Sequence, residues 1–271
     1  MFKKKLAVWG IVSCLLLAVT GCSTSKETST EPAKNALEQI KKRDKLIVGV
    51  KYDTNLFGLK NPSTGKVEGF DVDVAKALAK DLLGDEKKVE LKEVTSKTRI
   101  PMLKNGDIDM IIATMTITEE RKKEVDFSDV YFKAGQALLV KKGSPIKGIE
   151  DVKKGVKVLA VKGSTSSQNI RAKAPEATVL EFENYSEAFT ALKAGQGDAL
   201  TTDNSILYGM QKQDPNYQIV GDIFTDEPYG IAVRKGEKEL VDAVNKFLKK
   251  VKENGEYDKM YEKWIGENPK E

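Results

Sequence analysis

Leu103-Lys104-Asn105-Gly106-Asp107-Ile108-Asp109 and, further along, Leu192-Lys193-Ala194-Gly195-Gln196-Gly197-Asp198 match as L-K-x-G-x-x-D. Five residues beyond each final aspartate the following apolar segment runs out, at Thr114 and at Asp203. A second pair stands in the same order: residues 47–51 (IVGVK) and 158–162 (VLAVK) are apolar runs of strand length that end in Val-Lys. L-K-x-G alone is cheap in a lysine-rich chain. Two echoes in one order, though at different spacings, read as two related lobes with equivalent strand ends.

Outward from these echoes, strands and helices alternate. Apolar runs of strand length occupy 46–50, 89–94, 110–114, 136–140, 156–161 and 178–182. Helical spacing appears at 71–83, where Val72, Ala75, Leu78 and Leu82 recur, Asp71 is placed as N-cap and Gly84 ends the segment. Further helices are predicted at 99–103, 185–193, 204–212, 238–254 and 257–264. The alternation predicts an α/β protein of two lobes with largely parallel sheets. Ligands of open α/β sheets collect beyond the carboxyl ends of strands. Lys51, Thr114, Lys162 and Asp203 are therefore expected to converge on a cleft between the lobes.

Composition excludes several chemistries. Histidine is absent, and the two cysteines are Cys14 and Cys22. That leaves no Ser-His-Asp or Cys-His nucleophile pair, no His/Cys zinc site and no disulfide framework. No cofactor or metal is called for. Three units of the +4 formal charge come from Lys3, Lys4 and Lys5, so the remaining chain is nearly neutral and carries no electrostatic footprint for nucleic acid.

Those lysines open an export signal: a basic start, an apolar run over 6–19 too short to span a membrane comfortably, then small residues before Cys22. The alternative is a membrane anchor with an incidental cysteine. Leu17-Ala18-Val19-Thr20-Gly21-Cys22 resembles the bacterial lipobox, which implies cleavage before Cys22 and a lipid on that residue. Residues 23–33 (STSKETSTEPA) hold almost no large apolar side chain and read as a flexible tether. The folded body is expected to begin near Asn35, outside the cytoplasm.

The densest site candidate is 114–123 (TMTITEERKK). Thr118 is a natural N-cap, and Glu119 and Glu120 suit the positive end of a helix. Arg121, Lys122 and Lys123 oppose it. Arginine presents a planar fork that binds a carboxylate through two hydrogen bonds, so Arg121 is set down as a ligand residue and the two lysines as solvated surface. Residues 162–167 (KGSTSS) join a strand to a helix and suit either a backbone anion site or an ordinary polar turn. Asp203 reads from its position as a helix N-cap, or as the partner of a ligand ammonium. Arg99 reads as a site cation or a surface helix residue. Asp71/Asp73 and Asp107/Asp109 are assigned to a helix start and a turn rather than to metal pairs.

Together these segments resemble the polar amino-acid-binding proteins of bacterial ABC importers, solute-binding protein family 3. The resemblance rests on Gly69-Phe70-Asp71-Val72-Asp73-Val74-Ala75, residues 111–121 (IIATMTITEER), Val125-Asp126-Phe127-Ser128, residues 198–203 (DALTTD), Tyr229-Gly230-Ile231-Ala232-Val233 and Asn254-Gly255-Glu256-Tyr257 with Trp264. It implies a type II periplasmic-binding fold: signal peptide 1–21, tether 22–37, first lobe 38–132, second lobe 133–225 and a return segment 226–271 to the first lobe. Hinge crossings are placed at 131–135 and 225–229. By the same resemblance, Arg121 would hold an α-carboxylate with Thr116 and the Thr165-Ser166 backbone, Asp203 would hold the α-ammonium with the Thr114 region, and Tyr229 would line the pocket. Lys51 and Arg99 would face the distal group of the ligand. Two cations favour an acid over an amide, so glutamate stands first, L-glutamine close behind and aspartate next. The implied partners are an ABC permease with its ATPase and the membrane through the lipid on Cys22, with the protein a monomer and not an enzyme. Two alternatives stand beside this reading: a dehydratase-like enzyme on the same fold, and a tethered amino-acid sensor.

Overall fold

The computed structural model describes residues 35–266; the expectations for the signal peptide, for Cys22 and for the tether before Asn35 lie outside them. In chain order the elements are α1 (Ala36–Arg43), β1 (Leu46–Val50), β2 (Asp53–Thr54), β3 (Gly58–Lys60), β4 (Val67–Glu68), α2 (Phe70–Leu83), β5 (Val89–Glu93), α3 (Arg99–Asn105), β6 (Met110–Ile111), α4 (Glu119–Lys122), β7 (Val125–Ala134) and β8 (Gln136–Lys141). They continue with β9 (Lys157–Val161), α5 (Thr165–Lys173), β10 (Thr178–Phe182), α6 (Tyr185–Lys193), β11 (Ala199–Asp203), α7 (Asn204–Gln213), β12 (Tyr217–Val220), β13 (Glu227–Arg234), α8 (Lys238–Glu253) and α9 (Glu256–Trp264). Strands 2–4 form a small antiparallel meander between β1 and α2.

Two five-stranded sheets carry the lobes, in the orders β5-β1-β6-β13-β7 and β10-β9-β11-β8-β12. In each, three strands pair in parallel, as βα units dictate, and the two strands that flank the crossings between the sheets, β7 and β13 in the first and β8 and β12 in the second, add antiparallel pairs. Both sheets are therefore mixed. The chain passes from the first sheet to the second at Gly135, between β7 and β8, and back through 221–226, between β12 and β13. Apolar side chains cover both faces of each sheet: Val48, Val50, Phe70, Leu78 and Phe247 belong to one cluster of the first sheet and Leu103, Ile108 and Met115 to the other. The clusters of the second sheet contain Leu159, Phe189 and Leu207, and Leu138, Val158 and Ile170.

The sequence echoes have a structural content. Asp109 and Asp198 each accept, through Oδ2, an N–H near the start of the neighbouring parallel strand, that of Ile47 in β1 and of Lys157 in β9, at 2.8 Å in both lobes. Those segments contain the second echo. Equivalent residues do equivalent work.

Three details depart from the sequence-based expectation. Ala36 and Leu37, counted with the tether, start helix α1, because Asn35 caps it by accepting the Glu38 N–H at 2.9 Å. The N-cap of α2 is Gly69, not Asp71. At φ +151° and with Phe57 O only 2.1 Å from where a β-carbon would sit, only glycine fits there, so the helix starts ahead of the expected cap. Finally, the run 110–114 pairs only at Met110–Ile111, since Thr114 adopts φ +46° and turns the chain out of the sheet.

Candidate functional site

Where the carboxyl ends of the parallel strands of both lobes meet, the chain buries an unusual set of charges. Lys51 and Asp71 are 0% exposed, Arg99 2% and Asp203 3%. Buried charge is costly unless paired or hydrogen-bonded, so the partners of each group decide what the site can do.

Lys51 follows β1 and donates from Nζ to Ser96 Oγ at 2.9 Å, with the Tyr185 ring of the other lobe 5.1 Å away. Burial, opposed by Asp53 and helped by Arg99, lowers its pKa to about 8. Arg99 opens α3, and its Nη1 donates to the carbonyls of Ala113 (2.7 Å) and Thr114 (3.3 Å), while its Nε has no partner. Burial first, then Arg121, bring its pKa down to about 9. Asp71 accepts from the Thr114 N–H (2.9 Å) and the Tyr131 hydroxyl (2.8 Å); burial lifts it to about 7 against those bonds.

Arg121 sits in a helix of a single turn capped by Thr118, so the dipole it was expected to oppose is negligible. Its guanidinium donates to Thr116 O at 2.7 Å and reaches across to Gly163 O in the second lobe at 3.1 Å. Burial lowers its pKa, while Glu227 and Asp203 act the other way. Thr116 Oγ1 lies 3.5 Å from Thr165 Oγ1 at the start of α5, and Thr116 bridges to Tyr229 on β13. Ser166, the next helical residue, gives its carbonyl to Gln136 Nε2 and its hydroxyl to Thr202.

Asp203 is the N-cap residue of α7, but its side chain makes no capping bond. Instead Oδ2 accepts from the Tyr229 hydroxyl at 2.5 Å, and Oδ1 is buried without a partner. Burial, then Glu227, raise it to about 7. Nine of the ten sequence-expected residues thus come together at the junction of the lobes. Lys162 does not. Its ammonium pairs with Glu183 after β10 and its side chain is 41% exposed, so in place of the cleft position expected for it the structure gives a half-exposed ion pair.

Several residues were not singled out from sequence. Glu227 is 2% exposed and accepts from Thr165 Oγ1 (2.7 Å), Asn169 Nδ2 (2.8 Å) and Thr225 Oγ1 (2.9 Å). Tyr185 and Gln136 are likewise buried between elements distant in sequence. Their only sequence signal is a polar type at a strand or helix end, which most surface residues share. The β2 region crosses between the lobes too: Asp53 accepts the Tyr185 N–H at the start of α6 (2.6 Å), and Asn55 donates to Gly209 O on α7 (2.8 Å).

The arrangement is that of two lobes in contact over a buried, charged seam. A lone carboxylate oxygen suits an ammonium, an arginine fork beside a helix start suits a carboxylate, and the Arg121–Gly163 and Thr165–Glu227 bonds span the lobes. The chain belongs to the bacterial extracellular solute-binding proteins, family 3, whose model matches residues 46–267. It is 67% identical over 267 residues to the ABC transporter glutamine-binding protein GlnH of Bacillus subtilis (strain 168), covering 98% of each chain. A glutamine-binding protein of Geobacillus stearothermophilus is 66% identical over 252 residues, 87% of this chain and 96% of the relative. Among solved structures, an ancestral arginine-binding protein bound to glutamine superposes with a TM-score of 0.78 at 52% identity, over 83% of this chain and 99% of that one.

Proposed function

We propose that this protein is the substrate-binding component of an amino-acid ABC importer and captures L-glutamine by closure of its lobes. The observation that carries the reading is the buried seam with Asp203 Oδ1 and Arg99 Nε unpartnered on either side of it. An α-ammonium placed against Asp203, near Thr114, supplies the missing cation. An α-carboxylate is taken by Arg121, with the Thr116 hydroxyl and the first N–H groups of α5 at Thr165 and Ser166. Tyr229 fixes Asp203, and Lys51 and Arg99 remain for the side chain. Contacts to both lobes bind the closed state better than the open one, which is what a population shift requires.

Glutamine now stands ahead of glutamate. Arg99 Nη1 is engaged by two backbone carbonyls and Lys51 by Ser96, so the two cations do not face the distal group unencumbered. A neutral amide is also less costly to desolvate than a carboxylate. The names of the two relatives agree. We further assign a permease and ATPase as partners and a binding rather than catalytic role, which the relatives' names support, export, which the family's extracellular description supports, and, on the lipobox resemblance of residues 17–22, a lipid on Cys22 of a monomeric protein.

Calorimetric titration of the purified protein, stripped of retained ligand by unfolding and refolding, tests this with L-glutamine, L-glutamate, L-aspartate and L-arginine. Stripping matters because bound ligand adds about 4 kcal/mol at 1,000 times Kd and masks titration. Glutamine is expected to bind tightest and to be recovered unchanged. Glutamate in first place restores the charge argument, silence from all four defeats the amino-acid reading, and recovery of any of the four as a changed product would favour an enzyme over a binder. Labelled fatty acid incorporated in cells, and lost in Cys22→Ser, checks the anchor.

A further inference from the structure

We propose that Asp71 is a positioning residue of the ligand site: its buried carboxylate holds Thr114 in the left-handed backbone conformation and ties that turn to the hinge strand β7. The inference rests on the amino-acid-binding reading above. Thr114 has φ +46°, a region that a β-branched residue rarely enters and that disfavours any residue with a β-carbon by about tenfold in population. Strained dihedrals persist only where the surroundings over-determine them. Here three bonds do so: the Thr114 N–H is taken by Asp71 Oδ2, and the carbonyls of Ala113 and Thr114 are taken by Arg99.

The turn matters because it aims the next segment at the seam. After Ile111 the chain leaves the sheet, and Thr116 is delivered to Tyr229, to Thr165 and, through its carbonyl, to Arg121. Thr114 itself keeps a buried hydroxyl without a partner. Asp71 is well suited to anchor this geometry. It lies in the first turn of α2, is fully buried, and has both oxygens accepting from outside its own helix, the second from Tyr131 on β7. The Tyr131 carbonyl in turn accepts from the Tyr257 hydroxyl at 2.6 Å, so the anchor extends to α9. A carboxylate serving only the helix start would bond that helix's N–H groups.

The test is a double-variant cycle of Asp71→Ala with Thr114→Gly, read as glutamine Kd. Glycine takes the left-handed conformation without steric cost, so the restraint becomes redundant in that background. Asp71→Ala is expected to weaken glutamine binding about tenfold in the unaltered chain and less than about threefold beside Thr114→Gly. Equal losses in both backgrounds, or no loss in either, overturn the proposal. Should Asp71→Ala fail to fold, Asp71→Asn replaces it in the cycle: the amide oxygen still accepts one N–H, so at most about half the alanine effect in log Kd is expected, and a full, uncoupled loss counts against the proposal. Amide hydrogen exchange at Thr114 in the ligand-free protein provides a readout that needs no ligand. Acceleration by about tenfold in the Asp71 variant, beyond any change in the second sheet, supports the role, and uniform change defeats it. Failure of the unaltered protein to bind glutamine strikes the functional reading alone, because the exchange measurement still decides the role of Asp71.

Discussion

Asp203 shows how a ligand and a proton compete for one carboxylate. In the closed molecule burial and Glu227 raise its pKa to about 7 from an ordinary 3.8, whereas in an opened cleft the group is solvated. Between these values the closed, ligand-free state binds a proton that the open state does not, so closure gains stability as pH falls through about 7 and has the full gain below the ordinary value. Small-angle scattering of stripped protein is therefore expected to give a smaller radius of gyration at pH 5.5 than at pH 8, by the same linkage; identical radii would count against the buried-charge account. Asp203→Asn separates the two roles of the group. Without a charge to bury, the ligand-free protein should be compact at both pH values. Without an anion for the α-ammonium, glutamine affinity should drop roughly 100-fold, as for loss of one partner of a buried charge pair.

At the scale of elements, the loop from β9 to α5 works as the closing lip. Gly163 has φ +75°, and a β-carbon there would lie 2.8 Å from Lys97 Cα in the other lobe. The neighbour is backbone and cannot give way, so Gly163→Ala is expected to hold the lobes apart. Glutamine binding should weaken more than about tenfold, while the ligand-free protein loses only the left-handed penalty of about 1 kcal/mol, a fall of about 2–4 °C in thermal midpoint. A variant with unchanged Kd would show that closure does not pass through this contact. The same loop shows where sequence reading succeeds and where it fails. Its strand and the helix after it were legible, because an apolar run and a polar strand–helix junction are local signals, while the cap by Ser164 came from the structure. The place of Arg121, Asp203 and Thr116 at the junction of the lobes was expected too, each as a residue breaking or straddling a local rule or matching the family motifs. Lys162 failed because equivalence of strand ends fixes a backbone position, not the direction of a long side chain, and Glu183 captured it. Glu227, Tyr185 and Asp53 were invisible for a related reason: their partners lie far along the chain, and nothing local marks a polar residue that will be buried by closure.

At the scale of the molecule, the duplicated aspartates predict how stability is divided. Asp109 and Asp198 each hold the start of the neighbouring parallel segment of their own sheet, and the apolar clusters of one lobe contain no residue of the other. Loss of either carboxylate should then loosen its own lobe first. The two sites differ in surroundings. Asp109 is 5% exposed and also pairs with Arg43, so Asp109→Ala leaves the Ile47 N–H and a cation short of a partner, at about 1–3 kcal/mol. Asp198 is exposed, water can replace it, and Asp198→Ala should cost about 0.5–1.5 kcal/mol. Native-state hydrogen exchange on the ligand-free protein reads both at once. In Asp109→Ala the amides of β1, β5 and β6 should exchange faster with β9–β11 unchanged, and in Asp198→Ala the order should reverse with a smaller effect. Saturating glutamine, bound across the seam, should spread each local weakness over both sheets by making their opening a common event. Uniform acceleration in the ligand-free variants would mean that the closed seam already couples the lobes into one cooperative unit, and that the ligand adds affinity without adding cooperativity.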